Sequence, residues 1–285
     1  MKKVFSLSAG LVFLLLASCH GGSSGSGAAR TDSMVADKKE TTDTSLRNHQ
    51  TLITDSFRYS LKSGSGSCDI YLDYPVDGPK EIVDELRSFI RSTLFDDQIA
   101  NIADDPEAIT HEYCTRRLEL QAKTLAQMGE GKVRADEAPE EGIELRLLCL
   151  TSTFVTYEVY RYSYTTHAAH GEYSEYGVTF RLSDGKRMSH ILNKVDEGLY
   201  AHIREGLKRY FHVKTDAQLE ALCTTDLSLL PMPTFPPYMV PEGVVLHYSI
   251  YDLCQFDDGD PKVLIPYFAA RSYMTEEARR LIPEK

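Results

Sequence analysis

The chain has 285 residues, of which 26% are charged, and its 31 Lys and Arg against 42 Asp and Glu leave a net charge of −11. That balance argues against a nucleic-acid partner, because phosphate recognition wants a basic face. It favours cationic partners and repels anionic lipid headgroups.

Lys2 and Lys3 open the chain, and an apolar run from Val4 to Leu16 follows, interrupted by Ser6, Ser8 and Gly10. The run is too short for a bilayer core, which takes about 20 apolar residues. It has the charged start and short apolar region of a secretory signal. Leu16-Ala17-Ser18-Cys19 then has the form cut by lipoprotein signal peptidase. Residues 1–18 are therefore expected to be removed, leaving Cys19 as the lipidated residue, palmitate among its acyl chains. Each buried CH₂ contributes about 0.8 kcal/mol, so several chains together hold a protein to a bilayer. His20 to Gly27 is rich in Gly and Ser, and residues 28–50 carry almost no large apolar side chain. Residues 19–50 accordingly read as a flexible tether. His20, in place of an Asp, follows the anchor, which points to the outer membrane, facing the periplasm.

About 235 residues remain, enough for one large domain or two small ones. Beyond Cys19 they contain Cys68, Cys114, Cys149, Cys223 and Cys254. Export permits disulfides, but an odd count leaves at least one thiol over. No C-x-x-C pair is present, against both zinc and thioredoxin chemistry. Cys149, inside Leu147-Leu148-Cys149-Leu150, reads as a small buried hydrophobe. At most one disulfide is expected, and its pairing stays open.

In chain order, Phe57–Leu61 and Cys68–Tyr74 read as strands, the second with Ile70, Leu72 and Tyr74 on one face and Asp69, Tyr71 and Asp73 on the other. A helix is expected over 80–95, with Ile82, Leu86, Phe89, Ile90 and Leu94 forming its apolar stripe. Asp105 before Pro106 marks the start of a second helix, ending at Gly129. After an acidic loop, 143–152, 154–165 and 173–182 read as strands, the last ending in the turn Ser183-Asp184-Gly185-Lys186. A short helix is expected near 189–193 and an amphipathic one over 196–212, its core face being Leu199, Ile203, Leu207, Tyr210 and Phe211. Strands over 244–251 and 262–267 and a helix capped by Thr275 close the chain. The order predicts an α+β protein, mainly antiparallel sheet with packed helices, in two successive subdomains, 51–170 and 171–285.

Tyr160 to Gly171 looks like a strand running into a Gly-Gly-Ala-His-Gly turn. Phe180-Arg181-Leu182-Ser183-Asp184-Gly185-Lys186 is similar to a Phe-Asp-Leu-x-Thr-Gly-Lys element, and Met188 to Leu192 stands where Leu-x-Asp-Leu-Phe is usual. Phe235 with Glu242 to Tyr248, and then Val263-Leu264-Ile265-Pro266-Tyr267, complete the series. In this order the five elements resemble the ectodomains of RsiV-like anti-sigma factors, which sense lysozyme. The same module occurs beside peptidoglycan deacetylase domains and in stand-alone envelope lipoproteins. The resemblance spans roughly residues 55 to 275 and makes 171–285 the C-terminal RsiV-like half. It implies the fold and a binding tendency. His167 and Ala168 replace the two leading glycines of the turn, and the cytoplasmic sigma-binding helix has no counterpart.

His167 and His170, with Glu172, offer ligand types for zinc. On a strand running into a turn, however, residues three apart point to opposite faces. His170 and Gly171 are accordingly expected to be a structural turn, and no metal or cofactor is expected. Tyr160, Tyr162 and Tyr164 share a strand face and are expected in the core; on an open face they suit sugar stacking or a protein interface. Neither a G-x-S-x-G element nor a phosphate-cradling Gly motif is present, and no catalytic residue is expected. Two segments are the candidate binding loops: Phe256, Asp257 and Asp258 between the closing strands, and the proline-rich stretch carrying Phe235 and Tyr238. The resulting expectation is a non-enzymatic binding or sensing module, tied to the bilayer through Cys19, for a lysozyme-like cationic protein. A peptidoglycan- or polysaccharide-binding module is the alternative, and an unrecognised hydrolase the third.

Overall fold

A computed structural model describes residues 51–64, 66–95, 104–129, 138–223, 226–253 and 259–283. The signal peptide, the tether with Cys19, and the loop with Phe256, Asp257 and Asp258 lie outside the described residues. Among those described, no helix is long and apolar enough to cross a membrane.

The fold is α+β. A five-stranded sheet is formed by β1 (Ile53–Ser63), β2 (Gly66–Asp77), β3 (Glu140–Leu150), β4 (Phe154–Tyr164) and β5 (Glu172–Arg181), in that order. Only the β2–β3 pair is parallel. That crossover needs a long connection, which carries α1 (Lys80–Phe95) and α2 (Pro106–Gln127). The apolar stripe of α1 is buried as expected, with Val83 and Phe95 added. The Asp105 side chain accepts a hydrogen bond from the Ala108 amide at 2.9 Å, with Pro106 at the first helical position. Gly129 follows α2 at φ 80°, a backbone conformation that favours glycine.

The two helices bury the sheet face carrying Ile70, Leu72, Tyr74, Val155, Tyr157 and Val159. Phe89 of α1 meets the rings of Tyr157 and Phe180 edge-on, at 6.4 and 5.1 Å. The expectation that Tyr160, Tyr162 and Tyr164 form the core is therefore corrected. They are half-buried on the opposite face, and the core tyrosine of β4 is Tyr157.

A second sheet orders β6 (Tyr238–Val240), β7 (Gly243–His247) and β8 (Lys262–Pro266), all antiparallel. It meets β4 and β5 on the face away from α1, through two hydrogen bonds to a pair of threonine hydroxyls. Thr156 Oγ1 donates to the Met239 carbonyl at 2.7 Å, the Met239 amide donates to Thr179 Oγ1 at 2.9 Å, and the two hydroxyls lie 2.9 Å apart. Helix α3 (Glu197–Tyr210) is capped by Asp196 and covers β8, where Gly206 leaves room for the Val263 side chain. Its core face is narrower than expected: Leu199, Ile203 and Leu207 are buried, Tyr210 is exposed and Phe211 half-buried. Short helices α4 (Asp216–Glu220), α5 (Tyr267–Ala270) and α6 (Glu276–Arg279) complete the second core.

Two further expectations change. Residues 189–193 are not helical: the Asn193 amide bonds the Tyr273 carbonyl and the Thr275 amide bonds that of Ile191, so this segment pairs with the C-terminal stretch instead. The boundary expected between 170 and 171 falls between β4 and β5, which are neighbours in one sheet.

Candidate functional site

The seam between the two sheets gathers charged groups that lie far apart in the sequence. Glu158 on β4 and Glu175 on β5 sit diagonally on the face that meets the second sheet, since Tyr160 pairs with Glu175 and Glu158 with Gly177. From the second sheet come His247 on β7, Lys262 on β8 and Asp260 just before it. Lys262 Nζ bonds a Glu175 carboxylate oxygen and lies 3.3 Å from Glu158 Oε1. His247 Nε2 is 3.1 Å from Asp260 Oδ2, with the His247 side chain only 2% exposed.

Burial, and then Glu175 beside it, push the Glu158 carboxyl up from its ordinary 4.5 to about 7. Burial works against ionisation of Glu175 too, but the Glu158 hydrogen bond and the Lys262 ammonium outweigh it and hold Glu175 below the ordinary range. The two carboxyls are therefore pushed apart, Glu158 towards its protonated form and Glu175 towards the carboxylate that Lys262 answers. Burial likewise opposes the charge on Lys262, yet the two glutamates keep its pKa above the ordinary value. The pair is a proton-holding site that changes state near neutral pH.

Donor atoms of Glu175, His247 and Asp260 lie within 4.8 Å of one another, a spacing suited to a cation. The surroundings fit one poorly. Lys262 already neutralises Glu175, and His247 Nδ1 is buried with no hydrogen-bond partner. A neutral imidazole carries one N–H, and beside a carboxylate that proton belongs on Nε2. A metal on Nε2 would send the proton to the unpartnered Nδ1. Hydrolysis of glycosides by paired carboxylates fits no better, because it needs a separation of about 5 Å or more, whereas these two share a hydrogen bond.

The same face of the large sheet continues beyond the seam. Arg58, Tyr71, Glu144, Tyr160 and Glu175 are successive cross-strand partners over all five strands. Arg58 and Arg146 lie over the Tyr71 ring at 5.5 and 5.6 Å, and Arg146 pairs with Glu144. Ser56, Arg58, Ser60, Asp69 and Arg146 are exposed, and Tyr71, Glu144, Tyr160 and Tyr162 are half-buried. Asp73, in contrast, is buried and fully engaged: Ser56, Tyr71 and the Leu147 amide all donate to its carboxylate, at 2.6, 2.9 and 2.7 Å. It locks three strands and leaves the ring of Tyr71 displayed above them.

The expected turn residues separate in role. His167 takes φ 67°, and His170 is exposed with Nδ1 2.9 Å from the Gly171 carbonyl oxygen. His170 Nε2 lies 3.5 Å from the Tyr251 hydroxyl. Gly171 is required because the Tyr162 ring lies where a Cβ would be. Of the proline-rich pair, Phe235 stacks on Tyr176 at 4.2 Å and 17°, and Tyr238 is buried against Gly177. Tyr238 packs β6 against β5, whereas Phe235, just before β6, is half-buried. The sequence reading missed Glu158, Glu175, His247, Asp260 and Lys262. The available signal was a glutamate placed on each of two strands otherwise rich in aromatic and β-branched residues.

No protein-family model matches the chain, and neither does any curated protein. Solved structures do, including the following two. One is a DUF3298 family member from Bacteroides fragilis, with TM-score 0.65 and 20% identity over 81% of this chain and 96% of that one. The other is a DUF3298 family protein from Pseudomonas aeruginosa, with TM-score 0.55 and 13% identity over 82% of this chain and 98% of that one. At these identities the likeness establishes a shared fold, that of structures assigned to a domain of unknown function.

Proposed function

We propose that the protein is a lipid-anchored envelope lipoprotein, RsiV-like in its globular part, which binds a cationic muramidase-like protein without enzymatic turnover. The observation that carries the binding role is the open row of Arg58, Tyr71, Glu144 and Tyr160 on a sheet whose other face is sealed by helices. A rigid sheet presenting aromatic rings and fixed charges suits recognition, since little order is lost on contact. The lipoprotein-type start of the chain, the five family-like elements and the acidic balance support the location and the partner's charge. The covered, self-neutralised glutamate pair supports a non-catalytic reading.

Capture of immobilised c-type and g-type lysozymes by the purified lipoprotein tests it. Truncating Tyr71 and Tyr160 to Ala removes two rings worth about 1 kcal/mol each, so affinity is expected to fall about 25-fold. Asp257→Lys should weaken capture further by reversing a charge in the acidic loop. Absence of any capture removes the muramidase. The tyrosine row also fits a second reading, stacking on a glycan, which predicts sedimentation with purified sacculi and its loss in the same double variant.

A further inference from the structure

Cys68 and Cys114 meet inside the first core. Cys68 begins the buried face of β2 and Cys114 lies on the buried face of α2, and both are completely excluded from solvent. The Cys114 thiol lies 3.5 Å from the Cys68 carbonyl oxygen, and the two thiols are hydrogen-bonded to one another. Cys149 lies in a different neighbourhood, packed against the second core with its sulfur 3.9 Å from the Met239 carbonyl oxygen. Two sulfurs already in contact between a strand and a helix 46 positions apart need little backbone movement to be joined.

We propose that Cys68 and Cys114 form a disulfide that staples β2 to α2. The oxidant is a thiol–disulfide exchange partner: its S–S bond breaks as the Cys68–Cys114 bond forms. The two cysteines give up two protons and two electrons, and the partner leaves as two thiols. In the cell this rests on the export reading above, because only an oxidising compartment supplies that partner. The Cys114 hydrogen bond, and then burial, raise the Cys68 thiol far above its ordinary pKa, so the folded thiol is held protonated and unreactive. Exchange therefore occurs while the chain folds, before α2 closes over β2, and the finished bond is out of reach of reductant in the native state.

The full-length protein, unfolded in urea with reductant and refolded in a glutathione redox buffer, tests this whether or not the chain is exported. Alkylation in denaturant followed by peptide mapping should find residues 68 and 114 in one linked peptide, with those cysteines unalkylated. Closing a loop of this size should put Tm on the order of 10 °C above that of the protein refolded reduced. Cys114→Ser should show no such difference. Alkylation of both cysteines, their linkage to other partners, or equal Tm for the two forms would overturn the proposal.

Discussion

Glu158 has a folded pKa of about 7 against 4.5 unfolded. The native state therefore keeps a proton that the unfolded chain sheds between those values. The resulting stabilisation is complete below about pH 4.5 and is lost as pH rises through about 7. Glu175 works in the opposite sense: its lowered pKa contributes above the ordinary carboxylate range and is lost in more acid solution. Between the two, Glu158 sets the slope. Glu158→Gln keeps an N–H donor for Glu175 and cannot ionise, so it should match wild type near pH 5. Near pH 8.5 it should be more stable by about 1–3 kcal/mol, or about 5 °C in Tm. A thermal scan across that range checks it, and parallel Tm–pH curves for the two proteins would rule out Glu158 as the titrating group. Both glutamates were visible in the sequence as charges on strands. Their convergence with Lys262 was not, because the bridging residue lies 104 and 87 positions away and nothing local encodes that contact.

Elements with local signals were the legible ones. The apolar stripe of α1, the Asp105–Pro106 start of α2, the amphipathic pattern of α3 and the Gly185 turn at φ 73° all follow from residues within a few positions of each other. Strand β6 did not show itself, being three residues long behind a run of prolines and held by hydroxyls on two other strands. That dependence is testable. Thr156→Val preserves shape but leaves the Met239 carbonyl without its buried donor, at a cost of about 1–3 kcal/mol. Adding Thr179→Val orphans the Met239 amide as well. Because the two hydroxyls also bond each other, the double variant should lose less than the sum of the singles. Amide exchange at Met239 should accelerate in both Thr179 variants. Urea unfolding of the four proteins measures the coupling, and strict additivity would mean that the hydroxyl pair contributes nothing of its own.

At the scale of the whole molecule, the described residues form two hydrophobic cores, and β4 belongs to both. Val155, Tyr157 and Val159 face the helices, whereas Phe154 on the opposite face is completely buried in the core of the second sheet. Strand β5 likewise gives Val178 and Phe180 to the first core while its Thr179 holds β6. A division at residue 170 would strip β5 from the sheet and uncover Phe89 of α1, whose ring packs on Phe180. The described residues, from 51 to 283, fall within one compact unit. They should therefore melt as one, since neither core can open without exposing part of the other. Scanning calorimetry should give a van't Hoff enthalpy equal to the calorimetric one. Phe154→Ala should lower the single transition by about 3–5 kcal/mol without splitting it. A fragment ending at residue 170 should lack a cooperative transition altogether, because its sheet ends on an unpaired β4 edge and the face carrying Phe154 is left bare. Two resolved transitions in the intact protein would instead mean that the shared strand does not couple the cores.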